Sequence, residues 1–265
     1  MSGHDLADTL PWMYTGTSFL LDAVDRLTDD DLRQPSGLPG WSRAHVVGHL
    51  ARNAEALSRL AAWARTGVET PMYASPTQRD TDIEESATLS AGRLREDLAS
   101  TAAALTEALG ALDDTTWQAP LRSAQGRTIP ATEVPWMRVR EVWLHTVDLA
   151  AGARMDDLPA GVLDALLTDV CGTFSGREDC PAVLLRPTDR ERTLRLGPEG
   201  GASCVSITLT GSAADLAGWL VGRGAPGDLA ARSETGDLAA RGETGEIAAR
   251  GETGEIAVPK PPRWL

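Results

Sequence analysis

Residues 135–149 read PWMRVREVWLHTVDL, and this stretch decides the fold that the sequence predicts. Its apolar side chains recur every three or four residues, which places them along one face of an α-helix. A proline at residue 135 suits the first turn of a helix. Within the stretch, Glu141 and His145 are four residues apart, so a carboxylate and an imidazole share one face. The sequence therefore predicts a helix that carries both core residues and a polar site.

The chain before this helix shows the same periodicity. Polar or Pro- and Gly-rich connections separate its apolar runs, so each run is expected to form a helix of its own. Three further helices are predicted, at residues 17–30, at 42–65 with Ser42 as the N-cap, and at 94–109. The segments around residues 73–80 and 117–130 are predicted as connections. Four helices of this length indicate a four-helix bundle.

After about residue 150 the pattern changes to short strands mixed with helices. Apolar and β-branched residues alternate in the strand-like runs. The expected elements are a helix at 161–170, strands at 182–186, 193–196 and 204–210, and a helix at 213–221. This mixture predicts a small α+β or α/β domain.

A nine-residue repeat fills residues 227–257: GDLAARSET, GDLAARGET, GEIAARGET and GEIA. Each complete unit offers one Leu or Ile and two Ala, which is too little apolar surface to offset the entropy of ordering the chain. We therefore expect a flexible segment, followed by the tail PKPPRWL. The predicted organisation is a helical bundle at 1–152, a small domain at 153–226, and the repeats with the tail at 227–265.

The composition limits the partners of the protein. A hydrophobic fraction of 42% in 265 residues is enough for a sizeable core. The formal net charge of -13 argues against nucleic acid or an anionic membrane as a partner, because both require clustered Lys and Arg. The three cysteines are an odd number without the C-x-x-C spacing of a thiolate zinc site. With no leader-like or membrane-spanning run, we expect a monomeric cytoplasmic protein with a small-molecule substrate.

Histidine is scarce, so a histidine-based site has few candidates, namely His4, His45, His49 and His145. The Glu141/His145 pair taken alone can be a surface hydrogen bond or ion pair. His49 lies beside the inward stripe of the 42–65 helix, where a lone histidine is more often a satisfied core residue. Together, two histidines and a glutamate on neighbouring helices, with no nearby fourth ligand, match a catalytic zinc site with one open position. His45, one turn before His49, is the competing ligand.

Three further residues are weaker candidates. Asn53, one turn after His49, and Arg79, in the connection after that helix, could line the cleft and bind a cofactor, although solvated or capping roles fit equally well. Asp148 follows His145 by three residues and could orient its imidazole, although a surface position is equally compatible with the sequence.

Four segments carry a family resemblance. PGWSRAHVVGHLARNAEAL at 39–57, YASPTQRD at 73–80, the segment at 122–152 and WLVGRG at 219–224 resemble the mycothiol-dependent maleylpyruvate isomerase family, within the wider group of DinB-like metalloenzymes. The resemblance implies an α + α/β fold, with an N-terminal DinB-like four-helix bundle and a small C-terminal α/β domain. It also implies a zinc site, or another divalent metal site, formed by His49, Glu141 and His145.

The resemblance further implies a low-molecular-weight thiol, mycothiol, as the cofactor and Arg223 of WLVGRG as a residue needed for activity. Arg223 has a second interpretation, as a helix C-terminal arginine that binds carbonyl groups. The implied function is cis-trans isomerisation of maleylpyruvate-like cis-enedioyl acids by thiolate addition, rotation and elimination. Two alternatives stay open: a mycothiol S-transferase that acts on an electrophilic metabolite or toxin, and a non-enzymatic zinc-binding sensor module.

Overall fold

The computed structural model describes residues 4–177, 180–197, 206–224, 229–234, 253–255 and 259–260. The chain divides into two compact units, Met1–Ala153 and Arg154–Leu265. The helices are α1 (Leu6–Asp25), α2 (Asp29–Arg33), α3 (Arg43–Thr66), α4 (Pro76–Ala87), α5 (Ala91–Gly110), α6 (Glu133–Asp148), α7 (Ala160–Phe174) and α8 (Ala213–Leu220). The strands are β1 (Pro120–Arg122), β2 (Thr128–Pro130), β3 (Val183–Pro187), β4 (Leu194–Leu196), β5 (Ser206–Gly211), β6 (Ala230–Glu234) and β7 (Thr253–Glu255).

The first unit is a four-helix bundle of α1, α3, α5 and α6, as the apolar periodicity predicts. In it, α3 packs against α5 and α6, and α1 packs against α6 and α5. Helix α3 begins where expected, because the Ser42 side chain accepts a hydrogen bond from the backbone N–H of His45 and the His45 side chain accepts one from the Ser42 backbone. It ends at Gly67, whose φ of 72° is the left-handed conformation of a helix C-cap. The bundle prediction is confirmed.

Two glycines allow helices of the first unit to approach closely. A Cβ at Gly48 would lie 2.7 Å from the Ser86 Cβ, so α4 can pack directly on α3 only because residue 48 has no side chain. A Cβ at Gly16 would lie 2.6 Å from Nε1 of Trp143, whose N–H donates to the Trp12 carbonyl. Both approaches bring neighbouring elements against the helices that carry the candidate site, α3 and α6.

The first unit departs from the sequence prediction in three places. Helix α1 begins at Leu6 and ends at Asp25, so it is longer than the predicted 17–30 helix, and a separate short helix, α2, follows it. Helix α4 occupies residues predicted as a connection, because few of its side chains are apolar and burial there rests mainly on Ile83 and Ala87. The hairpin of β1 and β2 also falls in a predicted connection.

The second unit contains a five-stranded sheet in the order β4-β3-β5-β6-β7. Strands β3 and β5 are parallel, and the other neighbouring pairs are antiparallel. Helices α7 and α8 pack against each other, α7 also contacts β4, and α8 contacts β5 and β3. Buried side chains such as Leu185, Leu209 and Leu216 form the core of this unit. The prediction of a small C-terminal α/β domain is therefore confirmed.

Parts of the nine-residue repeats form strands. Strand β6 pairs with β5 over five residues, and the buried Leu229 and Ala231 show that the first repeat contributes to the core. Strand β7 pairs with β6. The expected flexible segment therefore does not describe these two strands, because main-chain pairing with β5 adds to the small apolar content of the repeat. Residues 235–252, which make up most of the repeats, and residues 261–265 of the tail lie outside the described residues.

Among the residues that the structure describes, no helix is both long and apolar enough to cross a membrane.

Candidate metal centre

His49 on α3 and Glu141 and His145 on α6 meet at one point of the bundle. Nε2 of His49 lies 2.9 Å from Oε2 of Glu141 and 3.2 Å from Nε2 of His145. Nε2 of His145 lies 3.2 Å from the same glutamate oxygen. All three ligand atoms lie within 4.8 Å of one another, and this is the one such cluster of three or more His, Cys, Asp or Glu side chains found in the described part of the chain. The structure thus brings together the three residues that the sequence singles out.

The spacing of these atoms fits a tetrahedral metal ion. Zinc bonds to histidine nitrogen and carboxylate oxygen are roughly 2.0–2.2 Å long, so neighbouring ligand atoms in a tetrahedron lie about 3.3–3.5 Å apart. The three measured separations of 2.9 to 3.2 Å are close to that value. The side chain of Glu141 is 25% exposed, compared with 5% for His49, so solvent reaches the cluster on the glutamate side. Two imidazoles, one carboxylate and an accessible side are the features of a catalytic rather than a closed zinc site.

His145 is held in one orientation by Asp148. Nδ1 of His145 lies 2.8 Å from Oδ2 of Asp148, which is 3% exposed, and the Asp148 backbone carbonyl accepts a hydrogen bond from the Gly37 N–H. Burial lowers the pKa of His145, but the hydrogen bonds to Asp148 and Glu141 together raise it by more than burial lowers it, so the net shift is upward. In the neutral tautomer that keeps its proton on Nδ1 and donates it to Asp148, the Nε2 lone pair is available to a metal ion.

The pKa values of the other two members of the cluster are both lowered. Burial lowers the pKa of His49 more than the hydrogen bond to Glu141 raises it, so the imidazole is neutral at physiological pH. Burial raises the pKa of Glu141, but hydrogen bonds from His145 and His49 outweigh it and hold that pKa well below its ordinary value. A neutral imidazole and an ionised carboxylate are the protonation states in which these groups bind metal. Among the described residues His49 Nδ1 is buried without a hydrogen-bond partner.

His45, the competing ligand in the sequence, lies outside the cluster. Its Nδ1 caps α3 through the Ser42 N–H at 3.2 Å and lies 2.7 Å from the Ser42 hydroxyl. Its Nε2 lies 3.2 Å from Oε2 of Glu84 on α4. Both ring nitrogens are therefore engaged at the start of the helix, one turn before His49.

Arg79 and Tyr73 lie near the cluster. The Arg79 guanidinium lies over the Tyr73 ring, 5.9 Å from its centroid, and forms an ion pair with Asp80 at 2.9 Å. Its charge helps to lower the pKa of His49. Burial and the charge of Glu141 together raise the pKa of Tyr73. The sequence prediction missed Tyr73; its position just before the Ser75 cap of α4 is the signal that was available.

Asn53 is positioned differently from the sequence expectation. It is 4% exposed, and its Oδ1 accepts a hydrogen bond of 2.8 Å from Nη1 of Arg138. This hydrogen bond places Asn53 in the contact between α3 and α6, and its cofactor-binding role stays a prediction. Arg138 itself was missed, because an arginine on a helix is ordinarily exposed.

Arg223 lies just after α8 in the second unit. Its Nη1 donates a hydrogen bond of 2.7 Å to the Val221 carbonyl. This contact matches the interpretation of a helix C-terminal arginine, and it leaves a role in activity as a separate proposal. The glycines on either side, at residues 222 and 224, have distinct requirements: the first has a φ of 74°, and a Cβ at the second would lie 2.8 Å from the Trp219 backbone nitrogen.

The fold and the site define a helical-bundle protein with a candidate His-Glu-His metal centre and a small α/β domain. Residues 15–150 match the family model described as the mycothiol maleylpyruvate isomerase N-terminal domain, and residues 157–248 match its C-terminal domain. The chain therefore belongs to the mycothiol maleylpyruvate isomerase family.

Two solved structures agree with this membership. The crystal structures of the mycothiol-dependent maleylpyruvate isomerase and of a mutant of it are each 31% identical to this chain over 98% of both chains, with TM-scores of 0.83 and 0.82. YfiT from Bacillus subtilis, described as a probable metal-dependent hydrolase, is 18% identical over 57% of this chain and 88% of its own, with a TM-score of 0.48. A search of curated proteins finds no significant match.

We predict that zinc binding requires His49 but not His45. His49→Ala should lower the zinc content of the purified protein from about one ion per chain to nearly none, because it removes one of three ligands. His45→Ala, made one turn earlier on the same helix, should keep the zinc content and cost only the stability of a helix cap, about 1 kcal/mol. Elemental analysis together with thermal unfolding measures both effects. Equal loss of zinc in the two variants would contradict the assignment.

We also predict that Asp148 controls the metal affinity. Asp148→Asn should weaken zinc binding by roughly 10- to 100-fold, because the amide no longer fixes the His145 ring and tautomer. Glu84→Gln is the matched control, since it removes the carboxylate of the other histidine contact, and it should leave the affinity unchanged. Competition with a chromophoric chelator gives both affinities. An Asp148→Asn variant that is folded and binds zinc like the parent protein would refute the role.

Proposed function

We propose that the protein is a mycothiol-dependent cis-trans isomerase of maleylpyruvate-like cis-enedioyl acids. The observation that carries this proposal is that the ligand atoms of His49, Glu141 and His145 lie within 4.8 Å of one another. Membership of the mycothiol maleylpyruvate isomerase family supports it, as does the 31% identity to a solved relative described as a mycothiol-dependent maleylpyruvate isomerase. No cysteine of the described residues belongs to the cluster, so the reacting sulfur would come from a separate thiol.

In this proposal His49, Glu141 and His145 hold one divalent ion, and the nitrogen and oxygen ligands favour zinc. When bound, the metal would supply stabilisation of a thiolate near neutral pH, and the thiol would supply a nucleophile that adds to the double bond and leaves after rotation. Asp148 keeps the Nδ1 proton of His145 away from the ion. The ionised Glu141 supplies the one negative ligand.

The surroundings of the cluster suit an anionic substrate. Arg79 and Tyr73 offer a guanidinium and a phenol beside Glu141, although the protein as a whole carries a net charge of -13. We propose that Arg79 binds a carboxylate of the substrate or the cofactor, because guanidinium and carboxylate groups match in shape and charge. Its ion pair with Asp80 would have to open or be shared for this contact to form.

The decisive experiment is an assay of the zinc-loaded protein with maleylpyruvate and mycothiol. We expect fumarylpyruvate to accumulate while the mycothiol concentration stays constant, because the thiol is released in every cycle. Chromatography of the products, with free thiol measured in parallel, provides both readings. His49→Ala serves as the control that lacks a metal ligand, and it should be inactive.

Other outcomes of the same assay favour the alternatives. Stoichiometric consumption of mycothiol and a stable adduct would replace the isomerase with an S-transferase. No reaction with any electrophile, together with a fourth protein ligand on the metal, would favour the sensor module.

Arg223 gives a separate prediction. We propose that it binds a carboxylate of the substrate or cofactor, so Arg223→Met should lower kcat/KM by at least about a hundredfold while the zinc content and the melting temperature stay unchanged. Arg195→Met, on the exposed face of β4 in the same unit, is the matched control and should be fully active. If Arg223→Met instead loses stability in proportion to its activity, the role of this side chain is structural.

A further inference from the structure

Arg138 is a fully buried arginine on α6, one helical turn before Glu141. Its relative exposure is 0%, and it is among the largest fully buried side chains in the described residues. Nη1 donates to the Leu50 carbonyl and to Oδ1 of Asn53, both at 2.8 Å. Its Nε and Nη2 are buried and have no hydrogen-bond partner among the described residues. One of the three guanidinium nitrogens is thus bonded to α3, and the other two are not satisfied.

The charge of Arg138 has no direct counterion. None of the carboxylates in the described residues forms an ion pair with it within 4.0 Å, and Glu141 bonds to the two histidines instead. Burying a charge without a paired ion is costly, so this arrangement is unfavourable for folding alone. Burial lowers the pKa of Arg138 to about 10, which still leaves it charged at neutral pH.

Arg138 lies on the same face of α6 as the candidate metal ligand Glu141, so its charge acts on the metal centre. Residues three apart on a helix have Cβ atoms roughly 5–6 Å apart, so Arg138 and Glu141 share one face of α6. The charge of Glu141 acts favourably on the guanidinium. Arg79, the other cation near the cluster, is paired with Asp80 and is partly exposed, so its field is offset and screened by solvent.

We infer that Arg138 is a positioning residue that acts through the charge of its guanidinium. It gives the metal centre one fixed positive charge, so that the open coordination position prefers a monoanion to a neutral ligand. A divalent ion with the carboxylates of Glu141 and Asp148 has a net charge of zero. Arg138 raises the sum to plus one, and one thiolate or other monoanion neutralises it. This inference rests on the proposed metal site, and it deepens the proposed function by explaining why the site would take a thiolate rather than water.

The test uses the full-length protein loaded with cobalt(II) in place of zinc, so that ligand binding is followed in the visible spectrum. Thiocyanate serves as the monoanion and imidazole as the neutral ligand, and both are titrated at one pH and one ionic strength. Arg138→Gln should weaken thiocyanate binding by roughly tenfold or more, because a unit charge acts strongly in a buried site. It should change imidazole binding by less than about twofold, because imidazole is neutral. Arg138→Lys, which keeps the charge, should retain most of the thiocyanate affinity.

A second variant avoids the loss of a buried side chain. Asn53→Asp is nearly isosteric and puts a carboxylate at the Oδ1 position, 2.8 Å from Nη1 of Arg138 in the parent protein. It neutralises the guanidinium without removing its contacts, so it should lower thiocyanate affinity as Arg138→Gln does. Arg33→Gln is the control, because Arg33 also donates to two backbone carbonyls, those of Ala87 and Leu89. It should leave both affinities unchanged.

The outcomes are distinguishable. If Asn53→Asp is folded and cobalt-loaded but binds thiocyanate like the parent protein, or if both ligands weaken equally, Arg138 is only a structural bridge between α6 and α3 and the inference is wrong. A parent protein that shows the charge effect but does not isomerise maleylpyruvate would refute the proposed reaction and leave the inference intact. An active isomerase without any charge effect would do the reverse.

Discussion

The contact between α3 and α6 at His49, Glu141 and His145 is the constraint on which the site depends. A bundle core ordinarily excludes polar side chains, because unpaired polar groups lose their hydration when they are buried. Here one carboxylate oxygen serves two imidazoles, and Asp148 serves the second nitrogen of His145. The remaining ring nitrogen, His49 Nδ1, has no partner among the described residues. The hydrogen bonds of the cluster therefore require both helices, because α3 and α6 each supply partners for the polar side chains of the other.

The helices that form this contact could be predicted from the sequence because their signals are local. Ser42 and Gly67 terminate α3 through caps formed within one turn, and the four-residue spacing of Glu141 and His145 fixes a shared face on any helix. His49 required one further assumption, that α3 and α6 are neighbours. The position of His45 could not be read in the same way, since its contact with Glu84 depends on a helix that the periodicity did not predict.

Features that depend on tertiary contacts could not be predicted from the sequence. Helix α4 has a cap at Ser75 and a proline at its first position, but it is mostly polar, and it packs against α3 at Gly48. Strand β6 has little apolar content and acquires its order from pairing with β5. The burial of Arg138 is the clearest case, because helical spacing places it on the face of Glu141 and His145 but does not show how deeply that face is covered.

The buried position of Arg138 also bears on how an acidic protein can take an anionic ligand. A net charge of -13 repels anions at long range, but at physiological ionic strength the field of surface charges decays over about 8 Å. Surface charges farther away than this contribute little at the cluster. A buried guanidinium is screened far less than a surface one, so a single charge one turn from Glu141 outweighs many distant carboxylates. The preference for an anion at such a site is therefore set by the few groups packed around α6, and it is independent of the overall charge of the protein.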